Sequence, residues 1–180
     1  EAAHALLYHL GGNTPAYLTI VARGNHGGYM EHDDQEASSP LKTREELLSN
    51  IRVSLAGRGG EILRFGAEGG LSSGASGDLK NATSIAEKML CQYGMDDELG
   101  LVWTDTVSAQ KEECIRQKIA SLLNGEMQKV LAALQIERPR LQKLVNELMA
   151  KNRLTAEEIR DLLVISASAG TPDAVNEEYL

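Results

Sequence analysis

The first four residues, Glu1-Ala2-Ala3-His4, carry the most pointed chemistry in the chain. A helix turns about 100° per residue, so side chains three apart share a face. A glutamate and a histidine so placed are the last part of H-E-x-x-H. In that motif two histidines one turn apart bind zinc, and the glutamate beside the first handles the proton of an activated water. The first histidine would stand immediately before Glu1, so the chain is expected to begin inside the motif. E-x-x-H by itself arises in many helices by chance and identifies nothing. A zinc site also needs a third protein ligand. One extension of the motif would place glycine at position 7 and histidine at position 10; Leu7 and Leu10 stand there, which removes that class. An acidic residue on a later helix is the other option, and spacing alone does not choose one.

The remaining titratable residues read more plainly. His9 lies about 140° around the helix from His4, which points it away from a shared metal. His26 falls in a glycine-bearing turn near a strand, and His32-Asp33-Asp34 opens a polar loop. Cys91 and Cys114 are the only two cysteines and have no C-x-x-C spacing, as in reduced core or surface thiols. Glu61 and Arg58 sit in a glycine-rich helical stretch, where Glu61 is a candidate to hydrogen-bond a metal-binding histidine from behind.

These residues need elements to hold them. Residues 1–10 are alanine- and leucine-rich and helical in character, and Gly11-Gly12 stops them. Residues 16–22 (AYLTIVA) read as a strand, with 29–32 returning as a short partner in a hairpin. Thr43-x-x-Glu46 is a capping box that opens a helix with Leu47, Leu48, Ile51, Leu55, Ile62 and Leu63 in helical register. Gly57, Gly59 and Gly60 interrupt it. Each costs about 1 kcal/mol relative to alanine, so something is expected to pack closely there. Residues 65–77 read as loop, 78–93 as helix, and 95–105 as a connector in which Trp103 packs. Three helical segments follow, from 108 to 134, from Pro139, and from the capping box Thr155-x-x-Glu158 to Leu163. Residues 166–180 read as a flexible acidic tail behind a domain spanning 1–165.

Composition bounds the possibilities. Hydrophobic residues are 42% and aromatics 4%, so a core is available and is built from aliphatic side chains, which favours packed helices. The expected fold class is mainly α, with a small β-hairpin or sheet and a C-terminal helical bundle. Asp and Glu number 26 against 18 Lys and Arg, a net charge of −8 with no basic cluster, which excludes a nucleic-acid partner. No apolar run approaches the roughly 20 residues that span a bilayer, so no membrane contact and a soluble piece are expected.

Four stretches, taken in order, resemble the peptidase domain of FtsH-type AAA proteases. They are EAAHALL; TIVARG with GGYM; SLAGRGGEILRFG; and SSGASGDLKNATSIAEKMLCQYGM. The last is the most specific, with a Gly-x-x-x-Asp-Leu turn, an Ala-Thr helix and an aromatic-Gly-Met stop between Gly74 and Met95. The likeness covers roughly residues 1–163 and weakens after Trp103.

The resemblance implies a zinc-dependent endopeptidase acting on unfolded or membrane-extracted polypeptides. It makes Glu1 the general base, His4 and Asp78 zinc ligands beside a histidine preceding Glu1, and residues 27–30 (Gly27, Gly28, Tyr29, Met30) the strand edge that takes substrate. It implies an ATPase module upstream, since no G-x-x-x-x-G-K-[ST] loop occurs here. It further implies a hexameric ring anchored on the cytoplasmic or organelle-matrix face of a membrane. Three features depart from the pattern: the missing first histidine, a short polar loop after Met30, and Gly59-Gly60 in place of an alanine pair. The alternative is an assembly or adaptor domain that keeps the fold and lacks the metal.

Overall fold

The computed structural model describes residues 1–22, 28–32, 41–101, 103–104 and 109–163. Its helices are α1 (Ala2–Leu10), α2 (Arg44–Phe65), α3 (Ser76–Cys91), α4 (Ala109–Ile136), α5 (Arg138–Lys151) and α6 (Ala156–Leu163). Its strands are β1 (Pro15–Thr19), β2 (Tyr29–His32) and β3 (Arg153–Thr155), in one antiparallel sheet of order β2-β1-β3. The mainly α expectation holds.

The long helix α2 is the frame, packed against α1, α3 and α4. It begins where its capping box predicts. The Thr43 hydroxyl accepts the Glu46 N–H at 3.3 Å, and the Glu46 carboxylate accepts the Thr43 N–H at 2.6 Å. Its apolar face buries Leu47, Leu48, Ile51, Leu55 and Ala56 against Leu6 of α1, Met89 of α3 and Leu134 of α4. Gly59 explains one of the glycines on this helix. A methyl group there would lie 2.7 Å from Val130 Cγ1 and 3.2 Å from Leu134 Cδ1, so α2 and α4 approach too closely for any side chain. Gly59→Val is accordingly expected to lose about 1–3 kcal/mol of stability through overpacking, read as a fall in the urea midpoint at unchanged slope.

The sheet differs from a simple hairpin. Leu18 of β1 pairs in register with Met30 of β2 on one side and Leu154 of β3 on the other. Leu18 and Leu154 are both fully buried. The third strand escapes a sequence reading because three residues carry no usable alternation. Its position is set by the left-handed turn at Asn152 (φ 63), whose carbonyl accepts hydrogen bonds from the Ile20 N–H at 3.1 Å and the Thr19 hydroxyl at 3.0 Å. The Thr155–Glu158 box then starts α6, with Thr155 N–H donating to Glu158 Oε2 at 2.9 Å.

Two expectations are corrected. Helix α3 starts at Ser76 rather than Asp78, because a 3-10 turn (Ser73–Ala75) feeds directly into it; Ser72 caps that turn by accepting the Gly74 N–H at 3.1 Å. Asp78 is therefore in the first turn of α3 and not its N-cap, which is Ala75. Trp103 is not packed: it is 67% exposed. The acidic tail lies outside the described residues, as do His26, Gly27, Asp33 and Asp34.

Candidate metal centre

His4 lies in the first turn of α1, three residues after Glu1, which holds the N-cap position and makes no side-chain cap hydrogen bond. The imidazole is fixed from behind. Its Nδ1 is 2.8 Å from the carbonyl oxygen of Val53 on α2. A carbonyl only accepts, so Nδ1 carries the hydrogen and donates it, and the neutral ring presents a lone pair at Nε2. Nε2 faces Asp78: Nε2 and Asp78 Oδ2 are 3.2 Å apart. The two residues are 74 positions apart in the chain (78 − 4), and α2 lies beside both helices that carry them.

The glycine at position 57 makes this meeting possible. A methyl group there would lie 2.7 Å from His4 Nε2 and 3.4 Å from Asp78 Oδ2. The backbone of α2 thus forms the floor of the pair. Glu1 borders the sheet instead. A methyl group on Gly28, just before β2, would lie 2.9 Å from Glu1 Cγ and 3.2 Å from Glu1 Cδ. The Glu1 carboxyl therefore sits where the chain enters β2, one helical turn from His4.

A lone pair and a carboxylate oxygen in contact repel unless a cation lies between them. A proton on Nε2 or a metal ion each satisfies that requirement. Zinc bonds of about 2.0–2.2 Å in a tetrahedral arrangement put neighbouring N and O donors about 3.3–3.5 Å apart, close to the separation found. An Nδ1–H held by a backbone carbonyl is also how metal-binding histidines are oriented. The donors present thus fit two corners of a zinc site. Among the described residues no group of three or more His, Cys, Asp or Glu side chains is placed to hold a metal ion.

Glu61 is engaged elsewhere. Its carboxylate accepts the Ser72 hydroxyl and, at 3.4 Å, the Ser72 N–H, and it pairs with Arg58 Nη1 at 2.9 Å. The group behind His4 is the Val53 carbonyl, which no side-chain pattern could have announced. Hydrogen bonds from Ser72, aided by the Arg58 charge, hold the Glu61 carboxyl below the usual carboxylate range. Of the expected substrate strand, Tyr29 and Met30 belong to β2, Gly28 precedes it, and Gly27 is outside the described residues. Since β2 is an outer strand of the sheet, one of its sides is not paired within the sheet.

A family model described as peptidase family M41 matches residues 1–162. An ATP-dependent zinc metalloprotease FtsH 2 of Symbiobacterium thermophilum is 31% identical over 173 residues, covering 91% of this chain and 29% of the relative. An ATP-dependent zinc metalloprotease YME1 homolog of Schizosaccharomyces pombe is 32% identical over 176 residues, covering 91% of this chain and 24% of the relative. An ATP-dependent zinc metalloprotease FtsH of Mycoplasmoides gallisepticum reaches 42% identity over 99 residues, 54% of this chain and 13% of its own length. The chain spans less than a third of the length of these relatives.

Proposed function

We propose, from the premise that the chain belongs to peptidase family M41, that it is the zinc-dependent endopeptidase domain of an ATP-dependent metalloprotease. Its substrates are unfolded or membrane-extracted polypeptides. One observation carries the reading. His4 Nε2 and Asp78 Oδ2 converge to 3.2 Å from distant parts of the chain, with Glu1 one helical turn away from the histidine.

In this reading His4 and Asp78 are two zinc ligands, and a histidine immediately before Glu1 is the third. Zinc held there would polarise the scissile carbonyl and acidify a water molecule. The residues of the chain do the rest. Val53 keeps His4 in the tautomer that offers Nε2. Glu1 takes a proton from the attacking water and passes it to the leaving amine. The side of β2 that is unpaired within the sheet among the described residues accepts an extended substrate through main-chain hydrogen bonds, along Gly27, Gly28, Tyr29 and Met30. Such pairing reads little sequence, which suits a protease that must accept many unfolded chains. The closeness of Gly28 to the Glu1 side chain supports this reading, in which substrate enters along β2 beside Glu1.

ATP hydrolysis belongs to a module outside these residues, and assembly into a homo-oligomeric ring, a hexamer, goes with it. The ring is anchored on the cytoplasmic or organelle-matrix face of a membrane through parts of the parent protein beyond this chain. Among the described residues no helix is long and apolar enough to cross a membrane. Residues 1–165 act as the peptidase domain and 166–180 as a tail.

Zinc measured by mass spectrometry on the purified parent protein, with casein cleavage alongside, tests the reading. About one zinc per peptidase domain is expected, and Asp78→Ala is expected to remove both metal and cleavage. A folded parent protein that holds no zinc and leaves casein intact would sink the proposal in favour of an assembly or adaptor domain.

A further inference from the structure

The loop between α2 and α3 carries one polar clamp, and it closes on a single residue. Ser72 is held at three of its atoms by two side chains of α2. Arg58 Nη2 donates to the Ser72 carbonyl at 2.8 Å, while Glu61 accepts both the Ser72 N–H, at 3.4 Å, and the Ser72 hydroxyl. Arg58 and Glu61, one turn apart, are themselves joined at 2.9 Å. Their side chains are only 15% and 22% exposed, so the pair is sheltered enough to keep its geometry. Ser72 in turn caps the 3-10 turn that runs without a break into α3.

The position of the clamp gives it a purpose. Arg58 directly follows Gly57, the residue at which an added methyl group would meet His4 Nε2 and Asp78 Oδ2. One turn of α2 therefore fixes both the floor of the histidine–aspartate pair and, through Ser72, the point from which α3 starts. Asp78 comes six residues after Ser72 (78 − 72). The segment before the clamp, Gly66-Ala67-Glu68-Gly69-Gly70, is glycine-rich and turns at a positive φ of 81 at Gly66, so it contributes little constraint of its own. On the far side of Asp78, Asn81 Nδ2 donates to the Ser54 hydroxyl at 2.9 Å and ties the same turn of α3 back to α2. Asp78 lies between two polar ties to one helix.

We infer that Arg58, Glu61 and Ser72 are positioning residues for the metal site: they set the start of α3 so that the Asp78 carboxylate meets His4 Nε2. None of the three reaches the metal donors. The inference rests on the zinc reading given above and adds to it the part that holds Asp78 in place.

The test uses the full parent protein, zinc alone as the probe, and a chelator competition to read the dissociation constant. Ser72→Ala is expected to weaken zinc binding about 10- to 100-fold, as loss of groups that orient metal ligands does. Ser72→Thr, which keeps the hydroxyl and suits the extended backbone at that position, is expected to restore it. The melting temperature of the chelator-treated proteins should agree within about 2–4 °C, which separates positioning from general stability. Cobalt(II) substitution supplies a second readout, since a displaced carboxylate ligand alters its visible absorption. If Ser72→Ala binds zinc as tightly as the parent, with the same cobalt spectrum, the inference is overturned and the clamp merely pins a loop. If the parent itself binds no zinc, the functional reading fails, and the positioning role falls with it.

Discussion

Glu1→Gln in the parent protein is expected to keep its zinc and lose casein cleavage by about 10³-fold, within the range that removal of a general base produces. Glutamine has the size of glutamate and cannot take a proton from water near neutral pH. The structure indicates why the change should be clean. The Glu1 side chain makes no helix-capping hydrogen bond that the change would break. It lies against Gly28 at the entry to β2, apart from the contact of His4 Nε2 with Asp78 Oδ2, so that pair is left unchanged. The zinc content and melting temperature should therefore match the parent while the turnover rate falls. Cleavage at the parental rate would remove Glu1 from the mechanism and shift the base to another group at the site.

What could be read from the sequence divides by range. Helix starts set by local chemistry were legible: Thr43 with Glu46, and Thr155 with Glu158, both form the reciprocal bonds that their spacing promises. The glycines of α2 were legible as close contacts, though not as contacts with particular partners. Gly59 faces Val130 and Leu134, whereas Gly57 faces His4 and Asp78, and periodicity gives both the same signature. Asp78 could be singled out only through the family likeness, because 74 residues separate it from His4. The Glu61 expectation shows where such reasoning stops. A glutamate on the right helix can reach a histidine or a returning loop, and the choice depends on where residues 66–72 run. The loop takes Glu61, and the histidine is held by a backbone carbonyl that leaves no trace in residue type. Strand β3 was hidden for a related reason: its three residues gain their strand character from Leu18, more than 130 positions earlier.

Gly57→Ala separates the requirements of the helix from those of the site, because the two pull in opposite directions. Alanine is favoured over glycine inside a helix by about 1 kcal/mol, so α2 alone should gain stability from the change. The added methyl group, however, would lie 2.7 Å from His4 Nε2, inside van der Waals contact, and 3.4 Å from Asp78 Oδ2. It would crowd His4 Nε2, the atom that the zinc reading makes a ligand. His4 has little freedom to retreat, since its other nitrogen is held by Val53 at 2.8 Å and its side chain is 15% exposed. Zinc affinity is therefore expected to fall about 100-fold, equivalent to about 2.7 kcal/mol, which outweighs the gain in helix propensity. Gly60→Ala is the matched control. It brings the same propensity gain on the same helix, and its methyl group would meet only Ala3 Cβ at 3.3 Å. Chelator competition on the two variants should show a loss for Gly57→Ala and near-parental binding for Gly60→Ala. Equal zinc affinity in the two would mean that the metal does not sit between His4 and Asp78, and the proposed centre would have to be built from other residues.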